Sequence, residues 1–201
     1  MTELSYVHGA SKKTLIGQSI GRFFDDMCAR HADRDAFVSQ HQNARLTYAE
    51  LRERVDALAC GLIRIGLKPG DRIGIWSPNN LESVLTQFAT AKAGLILVNI
   101  NPAYRRSELE YALNKVGCRG LVMPAAFKSS DYVGILTDLA PELRDCPPGR
   151  LKSAKLPTLE MVIRLGAEKT PGMLNFDELL RAPAAEEWVE LATCGEAIQF
   201  D

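Results

Sequence analysis

Apolar residues along this chain follow two periods, and the switches between them lay out its elements. Ile20, Phe23, Phe24 and Met27 recur at helical spacing behind Ser19, whose hydroxyl can cap a helix, so a helix is predicted there with these residues on its buried face. The stripe fades near His31, and Asp33 opens a turn. Ala36–Gln40 alternates as a short strand, His41-Gln42-Asn43 can turn it, and Arg45-Leu46 returns, which predicts a hairpin. Thr47-Tyr48-Ala49-Glu50 is a capping box: the Thr47 hydroxyl accepts from the Glu50 backbone N–H, and the Glu50 carboxylate accepts from that of Thr47. Leu46 and Leu51 take the two hydrophobic-staple positions, and Leu51, Val55, Leu58, Ala59 and Leu62 continue the helical stripe. Gly66 tolerates a left-handed backbone and is the expected C-terminal cap, with Pro69-Gly70 as the next turn.

From there strands and helices alternate. Arg72–Trp76 reads as a buried strand, and Ser77-Pro78-Asn79-Asn80 breaks it and can cap a helix striped by Leu81, Val84, Leu85 and Phe88. Gly94 ends that helix, and Leu95–Asn99 is a second apolar strand leading to Asn101-Pro102. A second capping box is read at Ser107-Glu108-Leu109-Glu110, before Leu109, Ala112, Leu113 and Val116, with Gly117 closing the helix. Arg119–Met123 is a third strand and Tyr132–Leu139 a helix stopped by Pro141. This alternation predicts an α/β fold: βαβ units on a parallel sheet with right-handed crossovers. Prolines and basic residues crowd 140–157, which reads as a mobile loop. Leu159–Leu165 is the last strand expected, Asn175–Arg181 a short helix capped by Asn175, and 183–201 shows no strong period. Residues 1–18 read as an extended lead-in, and 19–201 as one α/β subdomain.

Composition narrows the function classes. The chain has 201 residues, 46% hydrophobic and 24% charged, as in an ordinary globular domain able to bury a core without staples. Lys and Arg number 24 against 25 Asp and Glu, so no basic excess points to nucleic acid. Cys28, Cys60, Cys118, Cys146 and Cys194 are odd in number and form no CxxC pair, which argues for reduced thiols rather than a zinc ribbon or disulfide framework. The first 19 residues have neither the apolar core of a signal peptide nor the arginines of a transit peptide, and no run of about 18 apolar residues suggests a membrane span. The cytoplasm is the expected location.

Catalytic candidates are scarce. Neither G-x-G-x-x-G nor G-x-x-x-x-G-K-[ST] is present, and Gly70–Gly74 and Lys169–Met173 carry too few glycines for a phosphate nest. His8, His31 and His41 lack i, i+4 partners, and Asp25 and Asp26 diverge by roughly 100° on a helix, so they read as a solvated face rather than an acid–base pair. No metal, cofactor or catalytic residue is assigned. One placement rises above this background. Ser77–Asn80 and Asn99–Tyr104 each follow a strand, so a parallel sheet brings both to its C-terminal edge, where open α/β sheets bind ligands. Turns and caps also require Pro and Asn, so substitution of Asn101 is the direct test.

The run LTYAELRERVDALACGLIRIGLKPGDRIGIWSPNN at 46–80 and its continuation AKAG…NINPAYR…ELEYAL resemble the N-terminal region of AMP-forming acyl-CoA synthetases. NINPAYR (99–105) is similar to the fatty-acyl-CoA ligase branch of that adenylate-forming superfamily. The resemblance runs from about Gly17 to Asp201 and implies two steps. A carboxylate, expected to be a fatty acid, attacks the α-phosphate of ATP to give acyl-AMP and pyrophosphate, and coenzyme A then displaces AMP, with Mg2+ neutralising the phosphates. The Ser/Thr/Gly-rich phosphate loop, the ribose-binding aspartate and the C-terminal domain of such enzymes have no counterpart in the sequence. No catalytic residue carries over, and the chain alone is expected to be inactive and to bind none of these cofactors tightly. Its expected partners are the remainder of the enzyme and the acid substrate. A non-catalytic binding or regulatory module on the same scaffold is the alternative, and acyl chain length and oligomeric state are not legible.

Overall fold

The computed structural model describes residues 16–198, so His8 and most of the expected lead-in lie outside the described residues. Helix α1 spans Ile20–Arg30, with Ser19 Oγ accepting from Arg22 N. Strands β1 (Asp35–Ser39) and β2 (Ala44–Thr47) form the expected antiparallel hairpin, and Thr47 and Glu50 make the expected capping box at the head of α2 (Tyr48–Arg64). Leu46 and Leu51 are both buried, and Gly66 sits just past the helix at φ 99°, as read from the sequence. Then follow β3 (Arg72–Trp76), α3 (Leu81–Lys92), β4 (Ile96–Ile100), α4 (Arg106–Val116) and β5 (Gly120–Met123). The hairpin β6 (Ala126–Phe127) and β7 (Ser130–Asp131) leads into α5 (Tyr132–Leu139) and a 3-10 turn at Pro141–Arg144. Strands β8 (Met161–Arg164) and β9 (Leu174–Asn175), a one-turn helix α6 (Phe176–Leu179) and α7 (Ala185–Ala197) complete the order.

The main sheet runs β4-β3-β5-β8-β9, parallel throughout. Successive side chains on a strand point to opposite faces, and the sheet uses both. Ile73, Ile75, Val122 and Ile163 enter a core shared with Phe24, Val55, Leu58, Leu62 and Leu85 of α1, α2 and α3. Trp76, Leu121, Met123 and Val162 enter a second core with Leu109, Leu113 and Leu136 of α4 and α5. Two dry faces explain why β5 and β8 read as unbroken apolar runs: all four residues of each are buried.

Several expectations change. The buried face of α1 is Gly21, Phe24 and Cys28; Ile20 is 65% and Phe23 39% exposed. The four-residue box at Ser107 does not form: Glu108 Oε2 accepts from Arg105 N at 2.7 Å, so α4 starts earlier than its apolar stripe suggested. Residues 140–157 carry a 3-10 turn at Pro141–Arg144 and are otherwise loop, tied to their surroundings by hydrogen bonds and burial. Leu151 N donates to Glu160 O, Ala154 N to Glu142 Oε1 and Asn114 Nδ2 to Lys155 O, while Leu151, Ser153 and Leu156 are buried. The tail forms α7, whose weak period follows from the burial of Leu191 alone among its residues.

Candidate ligand edge of the sheet

Strands β3 and β4 are parallel neighbours with Trp76 opposite Ile100, so Ser77–Asn80 and Asn99–Tyr104 leave the same edge side by side, as the sequence implied. Local polar bonds decide what each side chain can do there. Asn80 Oδ1 accepts from Ser83 N at 2.8 Å, and Ser83 Oγ accepts from Asn80 N at 3.1 Å. Asn80 Nδ2 donates to Ser77 Oγ at 3.1 Å, and that hydroxyl donates to Pro78 O. Asn80 and Ser77 are therefore committed to capping α3. Gln42 of the hairpin turn seals the same end by accepting from Leu81 N at 2.8 Å. In the second segment Asn101 Oδ1 accepts from Ala103 N at 2.9 Å, an Asx turn. Asn79, Asn99 and Asn101 are exposed, and the side chains of Asn79 and Asn99 make no hydrogen bond among the described residues. These two amides, Asn101 Nδ2 and the Tyr104 phenol are the polar side-chain groups of this pair of segments that make no hydrogen bond among the described residues.

Two further residues shape the edge, and sequence spacing gave no sign of them. Tyr132, at the start of α5, donates its phenol to Pro102 O at 2.6 Å and stacks on Trp76. Arg105 Nη1 donates to Ser130 Oγ at 2.8 Å, tying the end of NINPAYR to β7. The loop after β4 is thus pinned from below by α5 and the small hairpin.

The remaining candidate chemistry is placed apart from this edge. Lys169–Met173 is a turn beside the 3-10 helix, and Gly70 is a turn before β3. His31 ends α1 near the Tyr48 ring, and His41 Nδ1 meets Ser39 Oγ at 3.0 Å. Asp26 accepts from Gln18, but Asp25 is not on a solvated face: it pairs with Lys92 at 2.6 Å and Arg52 at 3.3 Å between helices. All five cysteines are free thiols, and burial pushes Cys60 and Cys118 up to about 11, which keeps them protonated and unreactive. Among the described residues no three His, Cys, Asp or Glu side chains converge to hold a metal.

Residues 24–187 match the family described as AMP-binding enzyme. The chain belongs to that family. It is 48% identical over 187 residues to the medium-chain acyl-CoA ligase ACSF2, mitochondrial, of Macaca fascicularis, covering 93% of this chain and 30% of that protein. The Mus musculus protein of the same name is 47% identical over 184 residues, with 92% and 30% covered. Among solved structures, the acetoacetyl-CoA synthetase from Streptomyces lividans superimposes with a TM-score of 0.68 at 26% identity, over 83% of this chain and 25% of that one. The chain thus spans about 30% of the length of these two curated relatives. The expected cytoplasmic location is overturned, because these close relatives are mitochondrial proteins. That expectation rested on finding neither an apolar signal core nor arginines in the first 19 residues. No described helix is long and apolar enough to cross a membrane.

The AMP-binding family implies a nucleotide. Asn80 and Asn101 spend their amide oxygens on their own backbone, and among the described residues no three His, Cys, Asp or Glu side chains converge as Mg2+ ligands would. The residues described at this edge do not fit a nucleotide and its Mg2+ unaided.

Proposed function

We propose that this chain is the first α/β portion of an AMP-forming acyl-CoA ligase that converts a medium-chain fatty acid to acyl-AMP with ATP and Mg2+ and passes the acyl group to coenzyme A. The observation that carries this reading is the 48% identity to a medium-chain acyl-CoA ligase across 93% of the chain. Catalytic charge stabilisation in phosphoryl chemistry needs donors and cations arrayed around the phosphates. No such array exists among the described residues, so the chain works as scaffold for a site completed by the remainder of the enzyme. The pinned Asn99–Tyr104 loop and the cap at Ser77–Asn80 form the wall that this chain gives to the site.

The test is pyrophosphate release from ATP with decanoate. Purified 1–201 is expected to release none, whereas the longer protein read from the same gene is expected to release pyrophosphate and form decanoyl-CoA. Turnover by 1–201 alone would overturn the scaffold reading, and a longer protein that activates no carboxylate would overturn the ligase reading.

A further inference from the structure

At the opposite, N-terminal end of the sheet, the segment after the 3-10 turn lines an open cleft of about 1140 Å³ between the C-terminal end of α2 and the starts of β5 and β8. Its wall is ordered. Pro147–Arg150 is a closed turn, with Arg150 N donating to Pro147 O at 3.1 Å and Gly149 at φ 76°. Beyond it, buried Leu151 and Ser153 alternate with exposed Arg150 and Lys152, as on an extended strand. Residues two apart on such a strand lie about 7 Å from each other on one side, so both cations border the same cleft.

The charges there do not cancel. Arg119 and Glu160 line the same cleft, and Arg119 is held by Asp71 at 2.7 Å and by Glu160 Oε2 at 3.0 Å, so the one acid on this wall is already paired. Arg150 and Lys152 form no ion pair among the described residues. Ile65 and Leu174, both half-buried, supply an apolar surface beside them, with the buried Met161 behind it. Two cations free of ion pairs among the described residues, next to apolar surface, suit an anionic head on an apolar body.

We propose that this cleft binds a fatty carboxylate, its head on Arg150 and Lys152 and its chain along Ile65 and Leu174. The site stands at the far end of the sheet from Ser77 and Asn101, so occupancy there is a second binding event. It does not depend on the ligase reading, because binding is measured without turnover.

The experiment is a titration of ¹⁵N-labelled chain with sodium decanoate, with decanol and with inorganic phosphate, following backbone amides. Decanoate is expected to give saturable shifts confined to residues around 150–153 and 174, absent with decanol. Arg150→Gln/Lys152→Gln is expected to weaken decanoate by at least about tenfold, the scale of one charge-assisted contact, with the rest of the spectrum unchanged. Both side chains are exposed, so the double variant retains the fold. The proposal fails if decanoate leaves these amides unmoved, binds the double variant equally well, or binds no better than phosphate.

Discussion

Trp76 and Tyr132 lie face to face, their ring centroids 3.6 Å apart and their planes within 6°. The pair joins the C-terminal end of β3 to the start of α5, and the Tyr132 phenol reaches on to the carbonyl of Pro102. One tyrosine therefore fixes the strand end and the loop at the ligand edge together. Tyr132→Phe keeps the stack and loses the hydrogen bond, an expected cost of about 1 kcal/mol, while Tyr132→Ala removes the stack as well, at about 3–5 kcal/mol. Burial also raises the phenol pKa, against a smaller opposing pull from Arg105. A raised folded-state value means this group's contribution is intact below the ordinary phenol pKa near 10 and is lost as pH climbs through the raised value. Urea midpoints followed from about pH 8 to 11 should fall more steeply in the native chain than in Tyr132→Phe. Equal slopes would show that the phenol is not held in a dry site.

Lys92, on α3, pairs with Asp25 of α1 and Asp56 of α2, and Arg52 stands 3.6 Å from Asp56. Asp56 is 4% exposed, and its burial raises the carboxyl pKa despite the Lys92 attraction. The folded chain therefore holds that proton more tightly than the unfolded chain. Stability from this group is greatest below the ordinary carboxylate pKa and falls as pH rises through the raised value. Lys92→Met strands a buried carboxylate and is expected to cost about 3–5 kcal/mol at neutral pH, less on acidification. Asp56→Leu combined with Lys92→Met should recover most of that loss, since a dry apolar contact replaces the pair. A double variant no better than the single in urea unfolding would refute this account.

Asn80 ranks as a cap before it ranks as a ligand contact, because its amide oxygen is already bonded to Ser83 N. Asn80→Ala should lower stability by about 1 kcal/mol and Asn80→Gly by only a few tenths. In the complete ligase proposed above, Asn99→Ala is the informative counterpart, since that amide is exposed and free of such bonds among the described residues. It should leave the unfolding midpoint in place and raise KM for the acid, and unchanged kinetics would remove Asn99 from the site.

Gly172 settles what Lys169–Met173 is for. Its φ is 72°, and an added Cβ would collide with the Leu143 carbonyl and come within 3.1 Å of Cys146 Sγ. Gly172→Ala should cost upward of about 1–3 kcal/mol, combining a disfavoured backbone with overpacking, and thermal unfolding measures it directly. A neutral result would mean that the turn swings free of the 3-10 helix.

Local signals were legible and distant ones were not. The box at Thr47 and Glu50, the stripe of α2 and the cap at Asn80 depend on residues within a few positions, and each is read directly from spacing. Helix α7 shows the opposite case. Glu187 Oε2 accepts from Ala184 N at 2.8 Å, and the same carboxylate meets Arg64 at 3.0 Å, a partner 123 residues away. Nothing in 183–201 announces Arg64, so the helix looked patternless. Likewise β9 pairs with β8 through only two residues, too short a run for alternation to register. That Ser77–Asn80 and Asn99–Tyr104 share one sheet edge follows from the alternation of strands and helices, but Trp76, Tyr132 and Arg105 join that edge through tertiary contact.

Strand β4 closes the sheet on one side with Ile96-Leu97-Val98-Asn99-Ile100, and Ile96 is 51% exposed. Natural edge strands are blunted by lysine, proline or a bulge, and this one carries none of these. Beside it runs a cleft of about 700 Å³ whose walls include Ile20, Leu97 and Ile198, so the open backbone is flanked by apolar surface. Unpaired N–H and C=O groups next to exposed isoleucines favour association through that edge. Purified 1–201 should therefore sediment as a mixture whose mean mass rises with concentration. Ile96→Lys should shift it toward the monomer while leaving the circular dichroism spectrum unchanged, because the side chain already faces water. Association that survives Ile96→Lys at full strength would move the contact elsewhere, with the exposed Trp188 and Val189 of α7 as the next surface to alter.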